Sequence, residues 1–173
     1  MLKSFCLGLI IVLLAACGFE PLYVQKINSL GYKGRESVVD EMAQIKISSI
    51  ADRFGQQLRN ELLDLLTPKG TVKGAKYRLD VVLISKDVTQ QAMRDDVTAT
   101  NERIEYVVGY KLYLGAEELV SGDSIAFVSY DILSNPYSTT MAQKKGETDA
   151  AKIIANDIAL RIGAYFYSRT GNL

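Results

Sequence analysis

Apolar residues change their spacing several times along the chain, and each change marks an element. Ile45, Ile47 and Ser49 alternate with Lys46 and Ser48 across residues 44–50, the pattern of a short half-buried strand. From Asp52, which has the chemistry of an N-cap, Phe54, Leu58, Leu62 and Leu65 recur at steps of three and four, while Arg53, Gln57, Arg59, Glu61 and Asp64 lie away from them. That is an amphipathic helix, stopped by Thr67-Pro68-Lys69-Gly70. Period two then returns. Tyr77, Leu79, Val81 and Leu83 alternate with Arg78, Asp80, Val82 and Ile84, and a polar connection, KDVTQQAMRDDVTATN, is expected to follow. Ile104, Tyr106, Val108, Tyr110, Leu112 and Leu114 form a long alternating run opposite Arg103, Glu105, Val107, Gly109, Lys111 and Tyr113. Gly115-Ala116-Glu117-Glu118 turns the chain into a hairpin whose second arm runs from Leu119 to Leu133, with a bulge expected at Gly122.

After a loop, SNPYSTTMAQKKGET, a last helix is predicted to start near Thr148 or Asp149, with Ala151, Ile154, Ala155, Ile158, Ile162 and Phe166 on one stripe. The order β-α-β-β-β-α, with connections too short for parallel crossovers late in the chain, predicts an α+β two-layer sandwich: a four-stranded, mostly antiparallel sheet with two helices on one face. A chain of 173 residues needs only one such domain.

The N-terminus follows a different rule. One cation at Lys3 and an apolar run from Phe5 to Leu14 precede Ala15, Ala16 and Cys17, the arrangement of a secretory signal and its cleavage site. About fifteen apolar residues at 1.5 Å each reach roughly 22 Å, short of the ~30 Å hydrocarbon core, so removal fits better than a membrane span. Leu14-Ala15-Ala16-Cys17 has the Leu-small-small-Cys form of a lipobox, which needs cysteine because a thiolate is nucleophilic enough to form the diacylglyceryl thioether. Cys17, with diacylglycerol on sulfur and an acyl chain on nitrogen, then anchors the protein, since two or more chains hold a membrane stably. Its only possible disulfide partner, Cys6, lies in the segment expected to be removed. The organisation expected is a signal peptide over 1–16, a lipidated tether over 17–43 and one domain over 44–173. Gly18 after the cysteine fits release to the outer membrane.

Composition narrows the chemistry. Lys and Arg together number 20, as do Asp and Glu, so no basic excess points to nucleic acid. The absence of His and Trp removes the usual general base and the commonest ligand of catalytic zinc. No metal site and no cofactor beyond the lipid on Cys17 are expected. The adjacent pairs Asp95-Asp96 and Glu117-Glu118 read as solvated loop charge, and no catalytic residue is assigned. Among ten tyrosines, Tyr106, Tyr110 and Tyr130 are expected to pack within the sheet, while Tyr113 and Tyr137 are candidates for an interface. Lys86, Arg94, Lys144 and Lys145 are the cations placed to meet an anionic lipid head group.

The heptad Cys17-Gly18-Phe19-Glu20-Pro21-Leu22-Tyr23 resembles the start of mature LptE proteins, the lipoprotein component of the outer-membrane lipopolysaccharide translocon. The order of elements is similar too, including a mid-chain strand opened by an arginine, here Arg103, and an Ala-rich closing helix with Ala150, Ala151, Ala155 and Ala159. The resemblance implies a two-layer α+β domain that plugs the large β-barrel LptD, assists its assembly, and helps deliver lipopolysaccharide to the outer leaflet. It implies no reaction, and a lipid-anchored place at the outer membrane with the domain facing the periplasm and the barrel lumen. It gives no residue-by-residue match for lipopolysaccharide contacts, so the four cations rest on chemistry alone. The rival readings are a stand-alone lipid- or small-ligand-binding lipoprotein, which needs an exposed apolar cleft, a structural lipoprotein of another envelope machine, and an anchored hydrolase, for which no catalytic constellation is present.

Overall fold

The computed structural model describes residues 38–68, 70, 74–93 and 99–171. Helix α1 (Val38–Met42) leads into β1 (Ile45–Ile47), α2 (Asp52–Leu66), β2 (Tyr77–Met93), β3 (Ala99–Leu114), β4 (Glu117–Asp131) and the long α3 (Pro136–Gly171). The sheet order is β1-β2-β3-β4. Both hairpins, β2-β3 and β3-β4, are antiparallel, and β1 runs parallel to β2 because a whole helix separates them in the chain. This is the α+β, mostly antiparallel architecture that the periodicity predicts.

One face of the sheet meets the helices. Phe54, Leu58, Leu62 and Leu66 of α2 and Ile154, Ile158, Ile162 and Phe166 of α3 are buried against Leu79, Ile104, Tyr106, Val108, Tyr110 and Leu112. The Phe54 ring stacks on Tyr106 with centroids 4.3 Å apart. Ala150, Ala151, Ala155 and Ala159 are at most 2% exposed, so small side chains bring the α3 backbone close to its neighbours. Tyr106, Tyr110 and Tyr130 belong to the buried set, as their strand positions predict.

Several boundaries differ from the sequence reading, each for a physical reason. α1 is not anticipated by periodicity, since one turn and a half offers only buried Met42 and partly buried Val38 to the core. The polar stretch after Ile84 is strand, not connection: β2 and β3 continue as a ribbon from Lys86 opposite Tyr106 out to Met93 opposite Ala99. On the β2 arm residues 87–91 are exposed and held mainly by pairing to β3, so they carry no apolar alternation. α3 starts at Pro136 rather than near Thr148. Asn135 Oδ1 accepts from Tyr137 N at 2.9 Å, and Pro136 stands where a missing donor costs nothing. Asp52 does not cap α2; Ala51 is the cap residue, no side chain caps it, and Asp52 has φ +65°. The β3-β4 irregularity leaves Leu119 unpaired, whereas Gly122 pairs regularly with Tyr110. A Cβ at Gly122 would lie 3.1 Å from Tyr110 Oη, which accounts for the glycine.

Candidate functional site

The face of the sheet turned away from the helices has no cover among the described residues. Strand register places Val82, Gly109 and Asp123 in one row across it, with Val107 beside Ser85 and Ile125 in the next and Glu105 beside Asp87 and Phe127 beyond. A register shift between Leu83 and Ser85 leaves Ile84 unpaired at the edge of these rows. Glycine at 109 makes the surface dip: a Cβ there would stand 3.1 Å from Ile84 Cδ1 and 3.4 Å from Asp123 Oδ1. The result is an open groove of about 450 Å³ along Asp80, Val82, Ile84, Gly109, Lys111 and Asp123. Val82, Ile84, Ile125 and Phe127 are 49–60% exposed, a concentration of apolar surface in the middle of a face that is otherwise polar.

Charges ring this saddle. Arg78 lies over the Tyr113 ring at 4.7 Å and pairs with Asp80 at 3.3 Å, and Arg103 lies over Phe127 at 4.2 Å. Lys111 pairs with Glu118 at 3.3 Å. Ser121 and Lys111 both hold Glu118 by hydrogen bonds, which lowers its pKa. Ser48 donates to Asp80 Oδ1 at 2.6 Å, tying the loop after β1 to the same face.

The four cations expected to meet an anionic ligand fall elsewhere. Lys86, before the outer part of the β2-β3 ribbon, reaches under α3 and pairs with Glu147 at 3.0 Å, with its ammonium 5.4 Å from the Tyr106 ring centre. Partial burial alone would lower its pKa, but Glu147 and the Tyr106 hydroxyl outweigh this and raise it. Lys144 and Lys145 project from the turn of α3 that carries Glu147, and Lys145 pairs with Asp149 one turn on. Lys86, Lys144 and Lys145 therefore gather beside one turn in the N-terminal third of α3. Arg94 lies outside the described residues, as do Leu14, Ala15, Ala16 and Cys17. Further out along the sheet the Tyr130 hydroxyl donates to Glu102, and burial followed by that carboxylate pushes Tyr130 up to about 12. Tyr137 is 72% exposed on the first turn of α3, and Tyr113 is half-buried on the open face, so both stand at the surface as their positions predict.

Sequence reasoning did not find the open-face groove. Val82 and Ile84 stand in the outward half of the β2 alternation, and Ile125 and Phe127 do the same in β4. Apolar residues at those outward positions are the signal that marks it. Among the described residues there is no group of three or more His, Cys, Asp or Glu able to hold a metal, and no helix long and apolar enough to cross a membrane.

Residues 42–164 match the model of the family described as LptE, lipopolysaccharide-assembly. The chain belongs to the LptE family. The matched range excludes the Cys17–Tyr23 heptad, so the folded domain establishes membership independently of the motif that first carried the resemblance. Among solved structures, a candidate lipoprotein from Caulobacter crescentus CB15 is 23% identical with a TM-score of 0.62, the alignment covering 75% of this chain and 96% of that one. A minor lipoprotein from Acinetobacter baumannii gives 13% and 0.53 over 70% and 92% of the two chains. Uncharacterized lipoprotein B from Nitrosomonas europaea gives 14% and 0.53 over 70% and 81%. At these identities the likeness is one of fold. A search of curated protein sequences finds no match.

Proposed function

We propose that this LptE-family chain is an outer-membrane lipoprotein, anchored through Cys17, whose domain plugs an LptD-like β-barrel, assists its assembly and helps pass lipopolysaccharide to the outer leaflet. The observation that carries the reading, beside family membership, is apolar exposure on opposite sides of the domain. Val82, Ile84, Ile125 and Phe127 stand out from the open sheet, and Ile153, Leu160 and Tyr167 stand out from the outer side of α3 at intervals of seven residues, two helical turns. A protein with one partner surface has reason to leave one side apolar. Apolar residues on two sides fit a domain that meets its partner on more than one side.

Lipopolysaccharide would be met at the Lys144–Glu147 turn in the N-terminal third of α3. Lys144 makes no ion pair among the described residues, and Lys86 and Lys145 stand beside it; Arg94 stays in the basic set on its chemistry alone. Such cations suit the phosphates of an anionic glycolipid, Arg through a paired geometry and Lys as point charges.

The test is affinity isolation of the tagged full-length protein from detergent-solubilised outer membranes, with mass spectrometry of stoichiometric partners. An LptD-like barrel protein is the expected companion, and recovery of the protein alone or with a different partner overturns the plug. In the same preparation Cys17→Ala is expected to abolish labelling by a fatty-acid analogue; unchanged labelling removes the anchor.

A further inference from the structure

We infer that the open face of the sheet is a protein-docking surface, and that its occupant is a partner protein surface presenting Lys or Arg among apolar side chains rather than an anionic lipid. Charge around the apolar saddle selects the occupant. Register places Asp80, Asp87, Glu105, Glu118, Asp123 and Asp131 on this face, against four cations, Lys46 at the β1 edge and Arg78, Arg103 and Lys111. Three of these cations are already engaged: Arg78 by Asp80 and the Tyr113 ring, Lys111 by Glu118, and Arg103 by the Phe127 ring. Among the described residues Asp87, Glu105 and Asp123 make no ion pair. The face thus carries an excess of negative charge, and its one cation without an ion pair or ring contact among the described residues, Lys46, stands on the edge strand β1.

Asp123 holds the central position. Its carboxylate borders the dip at Gly109, beside Val82 and Ile84, so a long cationic side chain can lay its methylenes on the apolar floor and bring its charge to the carboxylate. A phosphorylated lipid would meet like charge at Asp123, and the cations suited to it gather beside the Lys144–Glu147 turn of α3 instead. The fold therefore sorts two kinds of partner to two surfaces, protein to the bare sheet and anion to that helix turn. The identity of the docked protein as the barrel rests on the plug reading; its chemistry does not.

The experiment places a photoreactive amino acid at Ile125 of the full-length lipoprotein in its own envelope, irradiates, and identifies the adduct by mass spectrometry alongside the affinity isolation described above. The expected result is a protein adduct whose peptide carries Lys or Arg beside apolar residues, with a yield that Asp123→Lys lowers by about tenfold, the factor that 1.4 kcal/mol of lost affinity sets. Asp123→Asn, which adds no charge, should lower it less and guards against a folding defect. A lipid adduct overturns the inference. So does the absence of a protein adduct while the barrel still co-purifies, which leaves the plug reading intact, and so does a protein adduct indifferent to both Asp123 variants. If the barrel is absent but Ile125 labels another protein in an Asp123-dependent way, the plug reading falls and the docking surface stands.

Discussion

Two glycines inside helices should respond to the same substitution with opposite sign. Gly→Ala in a helix interior is worth about 1 kcal/mol from propensity alone. At Gly146 in α3 a new Cβ would lie 3.6 Å from Val128 Cγ2 and 3.9 Å from Val128 Cβ, ordinary contacts, so Gly146→Ala should keep that gain and add a little methyl burial. At Gly55 in α2 the new Cβ would lie 2.6 Å from Ile50 Cγ2, 3.1 Å from Ile50 Cβ and 3.2 Å from the Ile50 backbone carbon. Ile50 is itself buried, and one of the three obstructing atoms is backbone, so relief requires the chain between β1 and α2 to move. Overpacking of this kind costs about 1–3 kcal/mol, which offsets the helix gain and leaves a net loss of roughly 1 kcal/mol. In a protein of this size that separates the two variants by about 6 °C in melting temperature. Thermal and urea unfolding of both variants measures it, and Ile50→Ala, which removes both γ carbons, supplies the control background. Gly55→Ala should cost less there than in the parent. A Gly55→Ala protein stabilised as much as Gly146→Ala, or one whose penalty is unchanged in the Ile50→Ala background, would refute the steric argument.

Tyr130 supplies a pH test. Its folded value of about 12 exceeds the ordinary value of 10, so the neutral phenol is favoured in the folded state; its stabilisation is whole below pH 10 and is lost as pH rises toward 12. The amount at stake is on the order of 2 kcal/mol. Tyr130→Phe should therefore flatten the fall in stability between pH 10 and 12, and an unchanged slope counts against the assignment. For the partly exposed Lys86 and Glu147 pair, a double-mutant cycle with Lys86→Met and Glu147→Gln should return a coupling of at most about 1 kcal/mol. A coupling several times larger would mean that the pair is structural to the way the ribbon docks beneath α3.

Periodicity revealed the elements that bury a stripe or a face. α2, the inner half of β2, β3 and the Ala-rich half of α3 are all legible because each must present apolar residues to the core at a fixed interval. The outer ribbon and the first turns of α3 were not legible that way. Asp87, Thr89, Gln90 and Gln91 are exposed, and pairing holds them in place without apolar residues. Ser134-Asn135-Pro136 did carry a start signal for α3, but the exposed Tyr137 and Met141 that follow offer no inward stripe to support it. The groove was hidden for another reason. It depends on the register that sets Gly109 between Val82 and Asp123 and on the irregularity that turns Ile84 over it, and both arise from pairing across strands.

The division between faces follows from the same geometry. A two-layer fold with helices on one side leaves the other side of its sheet to be explained, and a monomer surrounded by water would be expected to make that side uniformly polar. Here the outward positions are polar along the edges and apolar in the centre, while the apolar residues on the outer side of α3 point the opposite way. Exposed Ile125 and Phe127 contribute little to the isolated fold, since each is half accessible in it. Replacing either with Ser should change unfolding stability by no more than about 0.5 kcal/mol. If these side chains serve a partner, the same replacements should weaken its capture far more than they weaken the fold. Equal losses in both assays would return Ile125 and Phe127 to the core and remove the reason for treating the bare sheet as an interface.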